Sequence, residues 1–378
     1  MSVAKTVYIF GAGFSIPGGG PRQDEIMTGI WALPDHGEIG PQKEAFRKFL
    51  RETLNVDETR VLLEDIYTPI DRCLADGLAL KKMSKGEITS LRNSIDYLIS
   101  LAIQQRFSAG PIMDHEYVPK LAAHLVERAA VRATKAIGAQ DKSAAKDYDP
   151  FSIISLNWDI LLDNALSDAL LQKDGPVTDD YAPFGVVDYC CYISSLRADD
   201  RRIRTGLWAL GCRGYNIKLL KLHGSMNWLQ CPNCQQLFIG FDEKHNIVNF
   251  TRPQPCRHCG QQDNESLLRG SLVMPTFLKD LSNFQVKLIW QNASVELMEA
   301  RRLVFVGYSL PPADFEFRQL LSRMVHKDVK IEAFLWDSAA TFPDEKKRYE
   351  DFFSRHDVSV FGGGAVEFVS RETAPAID

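Results

Sequence analysis

The chain predicts an α/β fold: a Rossmann-like doubly wound parallel sheet with a helical insertion and a small four-cysteine zinc ribbon. Three observations predict it. Short apolar runs of strand type recur, and each ends in a polar or glycine lip: Val3 to Phe10 before Gly11, Phe151 to Leu156 before Asn157, Ile217 to Leu222 before His223, and Leu303 to Val306 before Gly307. Between the first two runs, from about Pro41 to Gly138, the apolar spacing becomes helical. Between the last two lie a pair of Cys-x-x-Cys knuckles. Open sheets of this kind place ligands outside the carboxyl ends of their strands.

Composition narrows the function classes. The 378 residues are 45% hydrophobic and 25% charged, enough for one large core or two modest ones. A net charge of −5 supplies no global basic field, so direct nucleic-acid binding is not expected. Nowhere do 18 apolar residues run together, so no membrane span is expected, and the N-terminus goes straight into a strand without a signal-peptide pattern. Four of the eight cysteines form the two knuckles, and Cys73, Cys190, Cys191 and Cys212 read as free thiols. That usage implies a reducing compartment, the cytoplasm.

Taken in order, residues 1–20 give the first strand and a glycine turn of the Rossmann-like core. Gly11-Ala12-Gly13-Phe14-Ser15 follows the strand directly, so its backbone can turn tightly and present N–H groups to a pyrophosphate. Ile16 replaces the third glycine of the dehydrogenase fingerprint, which leaves a dinucleotide turn and an ordinary strand-to-helix turn both open. Pro17-Gly18-Gly19-Gly20-Pro21 reads as a mobile loop, and Gln23 to Trp31 as a new helix.

Residues 21–145 hold that loop and the insertion, with helices expected over 41–54, 57–76, 85–106 and 115–137. Leu91, Ile95, Leu98 and Ile99 exemplify the stripe, which serves helix packing or an oligomer interface. Lys135 to Asp149 reads as a polar seam back to the core. Residues 146–225 continue the core. Asn157-Trp158-Asp159 ends the second strand and either caps the helix from Ile160 to Leu171 or forms part of a site. Residues 175–215 read as irregular, with a solvated basic cluster from Arg197 to Arg204.

His223-Gly224-Ser225 breaks the next strand, and His223 is either a buried structural histidine or a residue facing a ligand. Residues 226–272 carry Cys231, Cys234, Cys256 and Cys259, with 21 residues between the pairs. Four thiolates leave no open coordination position, so the implied Zn²⁺ is structural. Residues 273–378 complete the core: a strand into Gly307-Tyr308-Ser309, a helix from Asp314 to Val325, a strand from Val329 to Trp336 ending at Asp337, and closing strands at Val358–Phe361 and Ala365–Val369.

In this order the motifs resemble the sirtuin superfamily. Gly11-Ala12-Gly13-Phe14-Ser15 is similar to its phosphate loop, Asn157-x-Asp159 to its Asn-x-Asp, Leu222-His223-Gly224 to its catalytic His-Gly, the cysteines to its zinc ribbon, and Gly307-Tyr308-Ser309 to its Gly-Thr/Ser-Ser segment. The resemblance covers about residues 1–20 and 150–340. The chain departs from deacylating sirtuins at Ile16 to Arg22, where their Asp-Phe is missing, and near Val273-Met274-Pro275, which has no Phe-Gly-Glu. With its helical insertion and Gly307-Tyr308-Ser309-Leu310-Pro311-Pro312-Ala313-Asp314, it looks more like the sirtuin-like effectors of bacterial anti-phage defence that hydrolyse NAD+.

The resemblance implies NAD+ as substrate and cleavage of its nicotinamide–ribose bond. Asn157 would hold the ribose or an attacking water, and His223 would accept a proton. Gly11, Ala12, Gly13 and Phe14, with the Ser15 hydroxyl, would take the pyrophosphate. Gly307 and Ser309 would take a neighbouring phosphate or ribose, Asp159 would orient the wall, and Asp337 would meet the adenine ribose. An NAD-dependent deacylase or ADP-ribosyltransferase, and a non-enzymatic NAD or ADP-ribose sensor, are the competing readings. Unregulated hydrolysis would poison the host, so a gate is implied: a homo-oligomer, or a partner such as a HerA-type ATPase or a short Argonaute-type protein.

Overall fold

The structure, a computed structural model, describes residues 5–375 apart from 59, 139–150, 176–183, 198–202, 213, 242–244, 260–265, 275, 277–278, 280 and 338–340. Its strands are β1 (Thr6–Phe10), β2 (Phe151–Ser155), β3 (Gly185–Asp188), β4 (Ile193–Ser195), β5 (Tyr215–Lys221), β6 (Gly224–Gln230), β7 (Leu237–Ile239), β8 (Arg269–Leu272), β9 (Arg302–Val306), β10 (Lys330–Phe334) and β11 (Asp357–Phe361). Seven of them make one sheet in the order β11-β10-β9-β1-β2-β5-β3, with every pairing parallel. β1 and β2 are buried throughout, as a sheet covered on both faces requires.

From β1 the chain moves to β2, out to the edge at β3 and back to β5 between them, then crosses to the other side of β1 with β9. The order therefore reverses at β1, which places a crevice at the carboxyl ends of β9 and β1. Register keeps those ends level: Phe10 lies opposite both Ser155 and Val306. The next residues continue the ladder, with Gly11 N–H donating to Val306 O at 3.0 Å and Leu156 N–H to Phe10 O at 2.9 Å.

A second sheet, β4-β7-β6-β8, forms the ribbon. β6 follows β5 with only Leu222 and His223 between them, so the chain changes sheets at the histidine. Gly224 takes φ +69°, and a Cβ there would fall 2.0 Å from Ser271 O, so the turn admits only glycine without a backbone shift.

The insertion lies between β1 and β2, as expected. Its helices run over Ile26–Ala32, Ile39–Lys48 (continued to Leu54 by a π turn), Leu63–Asp76, Lys85–Ala109 and Tyr117–Gly138. Ser84 caps the fourth by accepting from Glu87 N–H, while the Glu87 side chain accepts from Ser84 N–H. The stripe of Leu91, Ile95, Leu98 and Ile99 is buried in the insertion's own core, together with Trp158, Met226 and Met274. Arg92 bonds Asp71 and Asp96, each at 2.8 Å, and Leu272 O at 3.3 Å, tying the insertion to β8.

Three expectations need correction. The segment 365–369 is not a strand: Ala365, Phe368 and Val369 recur at spacings of three and four and bury one face of the Gly364–Glu372 helix. Residues 175–215 are not uniformly irregular, since they contain β3, β4 and a Gly206–Gly211 helix, each too short to show a period. Residues 57–62 precede the third helix rather than open it. The glycine-rich loop after Ser15 carries backbone bonds, with Met113 and Asp114 N–H both donating to Pro17 O and Gly20 N–H to Ser15 O. Most of the seam at 135–149 and of the basic cluster at 197–204 lies outside the described residues. Of that cluster, Arg204 stacks 5.2 Å over Trp208.

Candidate active site

A cavity of about 490 Å³ opens at the carboxyl ends of β9, β1, β2 and β5, within the range of small-molecule sites. Its floor is Gly11, Ala12, Gly13, Asn157, Asp159, His223, Gly307, Ser309 and Asp314, and residues 22–28 and 60–64 of the insertion close the far side. Ligand-sized space therefore coincides with the crevice that the strand order sets up.

The glycines serve close packing of two strand-end loops. A Cβ on Gly11 would lie 2.6 Å from Gly307 O, and one on Gly13 would lie 2.7 Å from Gly307 Cα. Gly307, at φ +62°, could carry a Cβ only 2.1 Å from Phe14 N. Four amides of the run already donate within the protein: Gly11 to Val306 O, Gly13 to Gly307 O, Phe14 to Gly11 O and Ser15 to Ala12 O. Phe14 itself is buried against Phe10 and Tyr117 and does not line the cavity.

Ser15 also sits behind the wall. Its hydroxyl donates to Asp159 Oδ2 at 2.8 Å and accepts from Asn157 Nδ2 at 3.2 Å, so it clamps the second strand's end rather than facing a phosphate. Asp159 Oδ1 accepts from Leu161 N–H at 3.1 Å. Burial raises the Asp159 carboxyl above its usual range, with Lys221 opposing. Trp158 anchors the same loop from the other side, donating from Nε1 to Val273 O at 3.2 Å.

With Nδ2 fixed on Ser15, Asn157 leaves its buried Oδ1 without a hydrogen-bond partner. His223 is in the same condition. Its Nδ1 lies 3.1 Å from Leu156 O, which can only accept, so Nδ1 carries the proton and Nε2 is the free nitrogen. Nε2 is buried with no hydrogen-bond partner and stands 3.5 Å from Asp314 Oδ1. Buried polar atoms are nearly always paired, and Asp314 Oδ1 on the same wall likewise makes no hydrogen bond beyond its ion pair with Lys279, so three such atoms mark where a ligand or water belongs.

Asp314 and Lys279 escaped the sequence reading as site residues. Asp314 precedes the Phe315–Met324 helix, where an aspartate reads as a cap, yet its side chain caps nothing. It turns inward, accepting from Tyr308 OH at 2.8 Å and pairing with Lys279 Nζ at 2.9 Å. Burial alone would raise its carboxyl, but a protonated His223 and the Lys279 ammonium outweigh that and hold it well below the carboxylate range. Lys279 lies in a stretch with no periodicity and gave no signal. Asp337, expected at the adenine ribose, is exposed and does not line the cavity; it lies beside Gly362.

The four ribbon cysteines converge, with their sulfurs all within 4.8 Å of one another. Cys231 Sγ to Cys259 Sγ is 3.9 Å and Cys234 Sγ to Cys256 Sγ is 3.8 Å. A tetrahedron with Zn–S of about 2.3 Å has edges of about 3.8 Å, so the thiols fit a zinc ion. Cys234 N–H points at Cys231 Sγ at 3.5 Å, a bond that stabilises a thiolate. None of the four cysteines lines the cavity.

No protein-family model matches the sequence, and no curated protein matches it. Among solved structures the chain is similar to Sir2 with a p53 peptide and NAD+, at 14% identity and a TM-score of 0.37, over 97% of this chain and 91% of that one. Two structures concerned with sirtuin substrate affinity are similar at 13% identity, with TM-scores of 0.37 and 0.38, each over 97% of this chain and over 91% and 92% of theirs. At those TM-scores the fold class rests on the strand order and the thiol geometry given above.

Proposed function

We propose that the chain is a sirtuin-like NAD+ hydrolase that releases nicotinamide and ADP-ribose. The observation that carries this reading is the pair of orphaned atoms, Asn157 Oδ1 and His223 Nε2, on the wall of a cavity at the sheet's switch point. An acceptor and a proton-accepting nitrogen are what a water nucleophile needs. The pyridinium is already cationic and leaves without a general acid, so the site has to stabilise an oxocarbenium-like transition state and supply the nucleophile. Asn157 Oδ1 accepts a hydrogen bond from one water O–H, whose proton stays on the oxygen as the new ribose hydroxyl, and His223 Nε2 takes the other proton as the water oxygen bonds the ribose carbon. The bond to nicotinamide breaks with its electron pair, and one proton is released per turnover. A zinc ion held by Cys231, Cys234, Cys256 and Cys259 would cross-link the ribbon, and none of these residues lines the cavity.

The absence of the Asp-Phe and Phe-Gly-Glu segments favours water over an acyl-lysine acceptor. The gate on this activity is a partner or a change of assembly, consistent with a defence effector that depletes NAD+. Nicotinamide and ADP-ribose quantified by chromatography test the reaction, with and without an acyl-lysine peptide. Peptide-independent release of both products supports hydrolysis. Turnover that requires the peptide moves the reading to a deacylase, and binding without turnover in any assembly moves it to a sensor.

A further inference from the structure

The candidate site contains a buried ion pair that hydrolysis as just described does not use. Lys279 Nζ and Asp314 Oδ1 are 2.9 Å apart, with side chains 0% and 2% exposed. Such a pair is weak support for stability, because desolvating both charges offsets most of their attraction. An acidic residue at a helix start is ordinarily retained for capping, and Asp314 does not cap. Its two oxygens are instead apportioned: Oδ2 to Tyr308 OH, and Oδ1 to Lys279 with His223 Nε2 at 3.5 Å.

The tautomer gives this arrangement a direction. Leu156 O holds the proton on Nδ1, so any proton that His223 gains arrives at Nε2, on the side facing Oδ1. We propose that Asp314 is a positioning residue for His223, stabilising the imidazolium formed when Nε2 takes a proton, and that Lys279 shares Oδ1 and limits that stabilisation. In hydrolytic triads the carboxylate bonds the Nδ1–H opposite the reacting nitrogen; here Leu156 O holds that position and Asp314 lies on the Nε2 side, where its charge acts on the imidazolium directly. Here a lysine shares the carboxylate, so removing either partner should act on His223 in opposite directions.

The other charged groups around the histidine are engaged elsewhere. Asp159 faces Ser15 and Leu161 N–H, Lys221 pairs with Asp163 beneath the Asn157 loop, and Glu316 accepts from Lys279 N–H at 2.8 Å. Asp314 is therefore the carboxylate against Nε2 among the described residues. The proposal rests on His223 being the proton acceptor of the hydrolase reading, and its test is separable from that reading.

The test compares Asp314→Asn with Lys279→Met in the full chain. Histidine ring resonances are followed by NMR across pH, with His223 assigned by its loss in His223→Ala. The expected result is displacement of the His223 titration to lower pH in Asp314→Asn, where only the lysine's charge remains. Lys279→Met should displace it to higher pH, where only the carboxylate remains. In NAD+ turnover, Asp314→Asn should lower kcat by about 10²-fold while KM stays within about threefold. If either single variant fails to fold, Asp314→Asn combined with Lys279→Met removes both charges, and its titration should fall between the two single-variant directions. Displacements of the same sign, or none, overturn the proposal. A rise in KM with unchanged kcat overturns it as well, and makes Asp314 a substrate-hydroxyl acceptor. Silence toward NAD+ in every assembly with opposed titrations would remove the hydrolase and leave the dyad standing.

Discussion

Two buried polar clusters lie one layer apart beneath the same cavity, and they differ in how completely they are paired. In the lower one, Lys221 is fully buried and donates to Asp159 O at 2.6 Å and Asp163 Oδ2 at 3.0 Å, while Tyr189 OH donates to Asp163 Oδ1 at 2.8 Å. No side-chain atom of these three residues lacks a partner. In the upper one, Asn157 Oδ1 and His223 Nε2 are buried and unpaired. A satisfied network holds a loop in place, whereas an unsatisfied one is completed by whatever enters. The lower cluster is scaffold for the Asn157 loop, and the upper one is the proposed reaction site.

Substitutions should separate the two. His223→Ala is expected to lose about 10²–10⁴ in turnover, about 3–5 kcal/mol of barrier, while folding and keeping the same metal content as the unsubstituted chain. Steady-state kinetics with metal analysis checks this, and unchanged turnover in a folded variant would contradict it. Lys221→Met should instead act on stability, costing about 3–5 kcal/mol because Asp163 is left as an uncompensated buried charge. Urea unfolding measures that cost, and loss of activity without loss of stability would erase the distinction between the clusters.

The upper cluster also carries a pH signature. The folded-state carboxyl of Asp314 is depressed, so its contribution to stability is present above the unfolded value of about 4 and is lost as pH falls further. Asp314→Asn should therefore flatten the fall in unfolding free energy below about pH 4. An unchanged acid slope would show that the carboxylate is not held in its ionised form. The smallest effect is expected at the loop's outer anchor. Trp158→Phe removes the bond to Val273 O and should cost about 1 kcal/mol, read as a small shift in urea midpoint.

What the sequence made legible follows from which features are local. Strand ends, the glycine turns and the paired cysteines are contiguous patterns, and parallel register brings the first of these together at one edge. The Ser15 hydroxyl was assigned to a phosphate because the sequence does not show that Asn157 and Asp159, 142 and 144 residues away, converge on it. Asp314 was visible only as the first residue of a helix, since the sequence does not show that its side chain turns inward to Tyr308 and Lys279. Lys279 carried no pattern at all. The last helix was misread as a strand because Gly363 and Gly364, both at positive φ, turn the chain where an apolar run resumes.

Product analysis on purified protein incubated with NAD+, alone and with its genomic neighbour co-expressed, bears most directly on the proposed chemistry. Equal release of nicotinamide and ADP-ribose without any acylated peptide, abolished by His223→Ala and Asn157→Ala, is the predicted result. Release that persists in both variants, or that appears only when an acyl-lysine peptide is supplied, would contradict it.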